Sequence, residues 1–549
     1  MKVSTLRSKF SFVLVVLGLT TAHSGGVAQQ NWPQANGPYR IAGTVVSTAG
    51  AVPLAQTRVS IMNVKNRKDV QSVLTAEDGR FEFHVGAGKY ALHGAKRGFI
   101  AADYNEHEQF STAIVTGAGL NTDELILKLA PSAALVGKVL DESGDPVRQA
   151  QVTLWRDDHS AGLSRIVRFR IETTDDRGAY EFTPLDSGSY FLSVTTSPWY
   201  AVHPPSIAQE GMPPAAVDRS LDVVYPPTFY EGATEAEDAS PIPIRGGDRL
   251  ELDFRLIPVP AVHVFFHTDP KPENGYQMPF LQRRIFDGVE IQNPGDSQMV
   301  SPGVFQITTA PGKYDVSLSG PGTGSKMMEV DINQDRQELT PSSGEALSSV
   351  SASVHLPGDE TQSPQLFLMF RDPQRRTVAA RQVSGEGKVD FGEIPAGTYD
   401  LQVGSPDGMF SVARISSEGR DTSGHTLKVT PGSPLSVDLY LVGGSASVEG
   451  FAKQAGKPVA GAMIVLVPKH PEANRELFRR DQSDLDGSFT LQNVVPGTYI
   501  VTAIADGWDL DWSKPGVISN YAKNGQTIVV PAHAEHTVKV PQAVEVQPK

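Results

Sequence analysis

Short runs in which apolar residues fall at alternate positions recur along most of the chain, each bounded by glycine, proline or aspartate. Such runs predict half-buried β-strands, because successive side chains of a strand point to opposite faces. The most regular run follows a Gly-x-Tyr triplet. It occurs as Gly88-Lys89-Tyr90, Gly188-Ser189-Tyr190, Gly312-Lys313-Tyr314, Gly397-Thr398-Tyr399 and Gly497-Thr498-Tyr499. In Tyr190-Phe191-Leu192-Ser193-Val194, for instance, the tyrosine and the later apolar residues share one face. The tyrosine hydroxyl is expected to close a Greek-key corner by bonding back to upstream backbone. A second strand precedes each triplet and opens on a turn glycine: Gly79, Gly178, Gly303, Gly387 and Gly487. Three copies also show an opening strand with a central glycine (Gly43, Gly137 and Gly450), then a proline turn and a further strand. Copies three and four keep only this general plan.

Successive Gly-x-Tyr tyrosines are 100, 124, 85 and 100 residues apart. That is the size of a whole sandwich, whereas solenoid repeats have periods of roughly 20–50 residues. The pattern therefore predicts an all-β chain, a tandem array of about five β-sandwich domains. The expected divisions are 29–131, 132–258, 259–345, 346–445 and 446–549. The longest interval coincides with 197–245, where Pro204-Pro205, Pro213-Pro214 and Pro226-Pro227 predict an extended excursion over the second domain.

Gly137-Lys138-Val139-Leu140-Asp141, with Gly144, Pro146 and Val147, then Thr174-Asp175-Asp176-Arg177-Gly178-Ala179-Tyr180 and Gly188-Ser189-Tyr190, resembles the bacterial carboxypeptidase regulatory-like repeat. Residues 448–501 repeat the match and 41–92 follow it more loosely. The resemblance implies a transthyretin-like (prealbumin-like) Greek-key sandwich, grouped with starch-binding-like folds. The stretches 225–230 with 241–244, and 507–512, are similar to segments of large secreted bacterial proteins that carry such repeats.

The N-terminus reads as an address. Lys2, Arg7 and Lys9 precede an apolar run from Phe10 to Leu19, too short to span a bilayer, and small residues at 26–28 predict signal cleavage after Ala28. Cleavage would take the formal charge from −14 to −17, which disfavours nucleic acid or anionic membrane as partners. With no cysteine there is no lipid-modified N-terminus, disulfide or thiolate metal site, so each domain must hold by core burial. A secreted or periplasmic location follows, with no transmembrane segment after cleavage.

Catalytic motifs are missing. None of the 13 histidines is followed three residues later by glutamate, so the ligand pair of a zinc carboxypeptidase is absent, and no His-Glu-x-x-His occurs. His533 and His536 supply at most two ligands. Gly320 to Lys326 lacks P-loop order, with lysine after serine. Asp484-Leu485-Asp486-Gly487 lacks the ligand set of a calcium loop and reads as turn chemistry. No catalytic residue, metal or cofactor is expected.

Aromatic residues remain. Trp508 and Trp512, with Asp509 and Asp511 between them, would on an extended segment place both indoles on one face and both carboxylates on the other. Such a face suits a sugar, by stacking and hydrogen bonding. Trp199, Tyr200 and Tyr230 extend the candidate set, with Tyr225 and Phe229 beside them. The competing reading is that these aromatics pin long loops onto their own domain. The leading functional expectation is a non-catalytic binding protein with a polysaccharide or glycan partner. The alternative is a structural or adhesion stalk of the cell envelope that recognises protein. A hydrolase with dispersed residues ranks third.

Overall fold

The computed structural model describes residues 37–549 except 68, 118, 204–217, 269–277, 292–296, 320–325, 340–344, 357–364, 374–376, 405–409, 423, 444–445 and 532–536. The expected signal peptide, much of the proline-rich excursion, the Gly320 turn and the His533/His536 pair fall outside the described residues.

The chain is an all-β array of sandwich modules, numbered 1 to 5 here. One plan recurs in each. An opening strand pairs antiparallel with the strand before the Gly-x-Tyr triplet and parallel with a late strand of the module. In module 1 these are Tyr39–Ser47, Arg80–Val85 and Leu125–Leu129. The opposing sheet forms around the Gly-x-Tyr strand, here Gly88–Ala95, paired antiparallel with Arg58–Asn63. The same three pairings occur in module 2, module 3, module 4 and module 5. Each module encloses its own apolar cluster.

Three sequence signals acquire physical causes. The tyrosine of every triplet is buried and donates to the carbonyl four residues upstream: Tyr90 to Gly86, Tyr190 to Asp186, Tyr314 to Ala310, Tyr399 to Pro395 and Tyr499 to Val495, at 2.8–3.2 Å. Burying the ring supplies apolar area, and the hydrogen bond satisfies the hydroxyl that would otherwise be costly to bury. The central glycine of the opening strand marks a close approach: a Cβ on Gly137 would lie 1.9 Å from the Leu252 carbonyl oxygen. Turn glycines such as Gly487, at φ +78°, adopt a left-handed backbone, and the Gly487 carbonyl accepts from Ala452 N.

Module 5 carries an addition. Its strand Met463–Pro468 is buried at every position, because its sheet is covered on both sides. One face meets the sandwich core. The other meets a second cluster formed by Phe478, Trp512 and Ile518, the last from the helix Pro515–Ala522. The modules are not strung in line. Module 5 folds back to touch modules 1, 2 and 4.

Candidate functional site

Aromatic, cationic and carboxylate side chains converge where module 5 meets modules 1 and 2. At the centre is Arg480, on the strand Arg479–Gln482, with a side chain only 4% exposed. The guanidinium makes two bonds to the Glu108 carboxylate of module 1, at 2.6 and 3.1 Å, and donates to the Ser160 carbonyl of module 2 at 2.9 Å. It also lies 4.5 Å from the Trp512 ring centroid and 5.3 Å from that of Phe110. The Arg fork suits this position because it pairs with a carboxylate and stacks on rings at once.

Polar bonds extend the seam on both sides. Gln482, fully buried, donates to the Asn105 carbonyl and to Thr112 Oγ1, while His107 Nδ1 lies 2.9 Å from its Oε1. Lys89 Nζ is 2.7 Å from Asp484 Oδ2, and Asp484 Oδ1 accepts from Ala113 N at 2.9 Å. Burial pushes the Asp484 carboxyl up and Lys89 opposes that shift. Leu485 N donates to the Ala113 carbonyl, so backbone joins backbone across 372 residues of sequence. Against module 2, Ser513 donates through N and Oγ to the Gly162 carbonyl, and Ser164 N donates to Asp511 Oδ1.

This geometry corrects the extended-segment expectation for the tryptophan pair. Gly507–Asp509 is a 3-10 turn, so Trp508 and Trp512 do not sit side by side on a strand face. The Trp508 face stacks on His107, 5.0 Å between centroids and 4° from parallel. Trp512 is 5% exposed, with Phe478 edge-on and Arg480 over its ring. Both indole nitrogens are buried without a hydrogen-bond partner, turned away from anything a solvent-borne ligand could offer. The two carboxylates are likewise engaged, Asp509 by Lys549 and Asp511 by Lys514. Each is held below its ordinary range, Asp509 chiefly by the Lys549 hydrogen bond. Burial raises Asp511, but the Lys514 and Ser164 hydrogen bonds together with the nearby positive charge outweigh it.

The aromatics of module 2 divide. Tyr200 and Tyr225 both donate to Glu142, the latter at 2.6 Å, and pin the proline-rich excursion to the Glu142 loop. Burial, then the Glu142 bond, pushes the Tyr200 phenol up to about 12. Burial raises Glu142, but the two phenols outweigh it and hold the carboxyl below its ordinary value. Tyr230 packs edge-on against Phe254, and Phe229 is buried beside Trp155. Trp199 differs, being 87% exposed, and among the described residues its ring contact is edge-on to Tyr200.

The Asp-x-Gly turns show turn chemistry: Asp78, Asp175 and Asp486 accept from amides two residues on. Among the described residues no three His, Asp or Glu side chains cluster as a metal site, and no helix is long and apolar enough to cross a membrane. Arg480, Gln482 and Glu108 were absent from the sequence-derived set. For Arg480 and Gln482 the sequence signal is a polar Arg-Arg-Asp-Gln run, 479–482, where an apolar alternation would be expected; Glu108 carries none.

No protein-family model matches the chain, and no curated protein matches it at a significant level. The resemblance of its repeat to carboxypeptidase regulatory-like domains therefore stands without a family match. Solved structures do align. The Bacillus anthracis TIE protein is 10% identical, with 71% of this chain and 69% of that one covered, at a TM-score of 0.16. A streptococcal ancillary pilin is 9% identical over 55% of this chain and 98% of its own, at 0.18. BcpA, the major pilin subunit of Bacillus cereus, is 9% identical over 73% and 99%, at 0.13. At such identities and scores these likenesses carry no argument about what this chain does.

Proposed function

We propose that the chain is an exported, non-catalytic structural or adhesion unit of the cell envelope that recognises protein. The observation that supports this reading most is the use made of the Arg480 side-chain cluster. Arg480, Glu108, Trp508 and Trp512 hold modules 1, 2 and 5 together instead of lining an open cleft. Cross-braced modules form a stiff platform, and a stiff surface loses little conformational entropy on binding. The folded-back arrangement makes the unit shorter than a five-module stalk. The basic and apolar N-terminal segment supports export, and the repeat pattern supports the carboxypeptidase regulatory-like assignment with divisions near 131, 258, 345 and 445.

The test is binding of the mature protein, residues 29–549, to envelope preparations pretreated with protease or with periodate. Loss after protease with retention after periodate supports protein recognition. Loss after periodate alone favours the glycan reading. Binding to neither preparation removes the adhesion half of the proposal.

One observation keeps the glycan reading as a second candidate: the 87% exposure of Trp199. Its free indole face is available for stacking on a sugar ring. A Trp199→Ala variant should then lose retention on polysaccharide while its unfolding transition is unchanged, and equal retention would exclude that face.

A further inference from the structure

The sheet built around each Gly-x-Tyr strand ends in an outer strand that pairs on one side only. In module 2 that strand is Arg165–Thr173, and module 3 covers its start: Ile166 N donates to Asp287 Oδ2 at 2.7 Å, and the Ile166 carbonyl accepts from Asp287 N. The outer strand of module 3, Gly288–Ile291, begins against the Trp155 ring of module 2. In module 5 it is Arg479–Gln482, which the Arg480 and Gln482 bonds fasten to module 1. Module 1 differs. Its own outer strand, Val70–Leu74, makes hydrogen bonds only within the module among the described residues.

That free edge has the features of a pairing surface. Thr75 N donates to the Thr57 carbonyl and Asn63 N to the Asp69 carbonyl. Backbone groups alternate in direction along a strand, so those of Gln71 and Val73 aim inward at Arg58–Asn63, while those of Val70, Ser72 and Leu74 aim outward. The side chains of Val70 and Leu74 are 54% and 69% exposed. Native sheet edges are usually blunted by lysine, proline, a bulge or an inward-pointing charge. Val70-Gln71-Ser72-Val73-Leu74 contains no charge and no proline, and its pairing with Arg58–Asn63 has no register shift. Charge flanks the strand asymmetrically. Lys65, Arg67 and Lys68 precede it against Asp69 alone, and Glu77 and Asp78 follow it. Asp78 pairs with Arg80, whereas neither Arg67 nor Glu77 has an ion partner among the described residues.

We propose that this edge joins a second copy of the chain, antiparallel, about a two-fold axis through Ser72. A contact of this kind uses the same patch on both copies and closes at a dimer. The axis at Ser72 sets Val70 of each copy opposite Leu74 of the other, apolar against apolar, and lets the outward N–H and C=O groups meet their counterparts. An axis at Gln71 or Val73 would oppose groups that already aim inward. The same operation lays the basic end of each strand, Lys65 to Lys68, beside the acidic end of the other, at Glu77. A parallel pairing would instead set like charges together, so the charge pattern favours the two-fold arrangement. The contact is one strand long, which puts it at the small end of specific interfaces and its dissociation constant in the micromolar range. This inference does not depend on what the envelope unit recognises through its other surfaces.

Sedimentation velocity of residues 29–549, over about 1 to 500 μM, reads the association. The average mass should rise with concentration from monomer toward dimer and no further. Val70→Lys combined with Leu74→Lys sets like charges opposite each other at both ends of the pairing and should weaken association about tenfold or more. Both positions are exposed, so the unfolding transition should stay as in the wild type. Because the chain has no cysteine, introduced cysteines report the register without interference. Cα atoms of a hydrogen-bonded antiparallel pair lie about 5.5 Å apart, within the roughly 4.4–6.8 Å that a disulfide spans. Ser72→Cys should therefore cross-link to itself under mild oxidation. Val70→Cys should cross-link to Leu74→Cys in a mixture of the two variants but not to itself. The proposal is overturned if the wild type stays monomeric over the whole range, if the double variant associates as tightly, or if Val70→Cys links to itself as readily as Ser72→Cys does. Association that continues beyond the dimer would equally contradict a closed two-fold pairing.

Discussion

Replacing Arg480 with alanine should unlatch module 5 from module 1 without unfolding either. The substitution removes two bonds to Glu108, one to the Ser160 carbonyl and the cationic face over Trp512. Breaking one half of a buried ion pair costs about 3–5 kcal/mol, chiefly because the surviving charge is stranded. Glu108 keeps 22% of its side chain exposed, so water takes up part of that charge. The lost cation–π contact restores about 1 kcal/mol of the cost. A net change of about 2–4 kcal/mol in the opening equilibrium follows, roughly thirty- to several-hundredfold. Hydrogen exchange reads it directly. The amides of Ala113 and Leu485 are bonded only across the seam, to Asp484 Oδ1 and the Ala113 carbonyl. Their protection should fall by that factor, while amides in the pairing of Met463–Pro468 with Gly497–Ile504 stay protected. Unchanged exchange at Ala113 and Leu485 would refute the reasoning. A uniform loss throughout module 5 would show that Arg480 supports the fold of the module and not the seam. A cycle with Glu108→Gln should return a coupling of about 1 kcal/mol or more.

Three other outcomes are expected. Tyr499→Phe removes the bond to the Val495 carbonyl and leaves that buried acceptor short, so urea unfolding should show a loss of about 1 kcal/mol; an unchanged midpoint would mean the corner contributes by packing only. Gly137→Ala places a methyl group 1.9 Å from the Leu252 carbonyl oxygen, and the forced separation of the two strands should cost about 3 kcal/mol or more, visible as lost exchange protection confined to module 2. Asp481 is pushed up to about 6 by burial. The stability it contributes is fully present below its ordinary value of 3.8 and is lost as pH rises through about 6. Asp481→Asn should therefore flatten the stability profile between those values and raise stability at pH 7 by about 1–2 kcal/mol; a steeper profile in the variant would contradict the assignment.

Much of the architecture could be read from local pattern. Alternation marks strands wherever one face is buried, and the Gly-x-Tyr triplet carried the corner bond that all five tyrosines make. What local pattern does not carry is which surfaces meet. Ser483 and Thr112 are joined across 371 residues, and nothing in either neighbourhood announces the other. The Trp508/Trp512 pair shows the consequence. Indoles between carboxylates have the same composition whether they face a sugar or a neighbouring module, and here His107 and Arg480 take their faces. Tyr200 and Tyr225, by contrast, pin the excursion to Glu142, the role weighed against ligand binding from the start. The continuous burial of Met463–Pro468 could have signalled a sheet covered on both sides, since an alternating strand would have had polar residues at every second position.

Small-angle scattering from the mature protein tests the central claim most directly. A single module of about 100 residues has a radius of gyration near 13 Å, so five in line would give about 50 Å with a maximum dimension near 170 Å. A cluster in which module 5 touches modules 1, 2 and 4 should give roughly 25–32 Å. A value in that range, rising in the Arg480→Ala variant, is the predicted result. A value near that of the in-line array in the wild type would contradict the folded-back arrangement and the latch built on it.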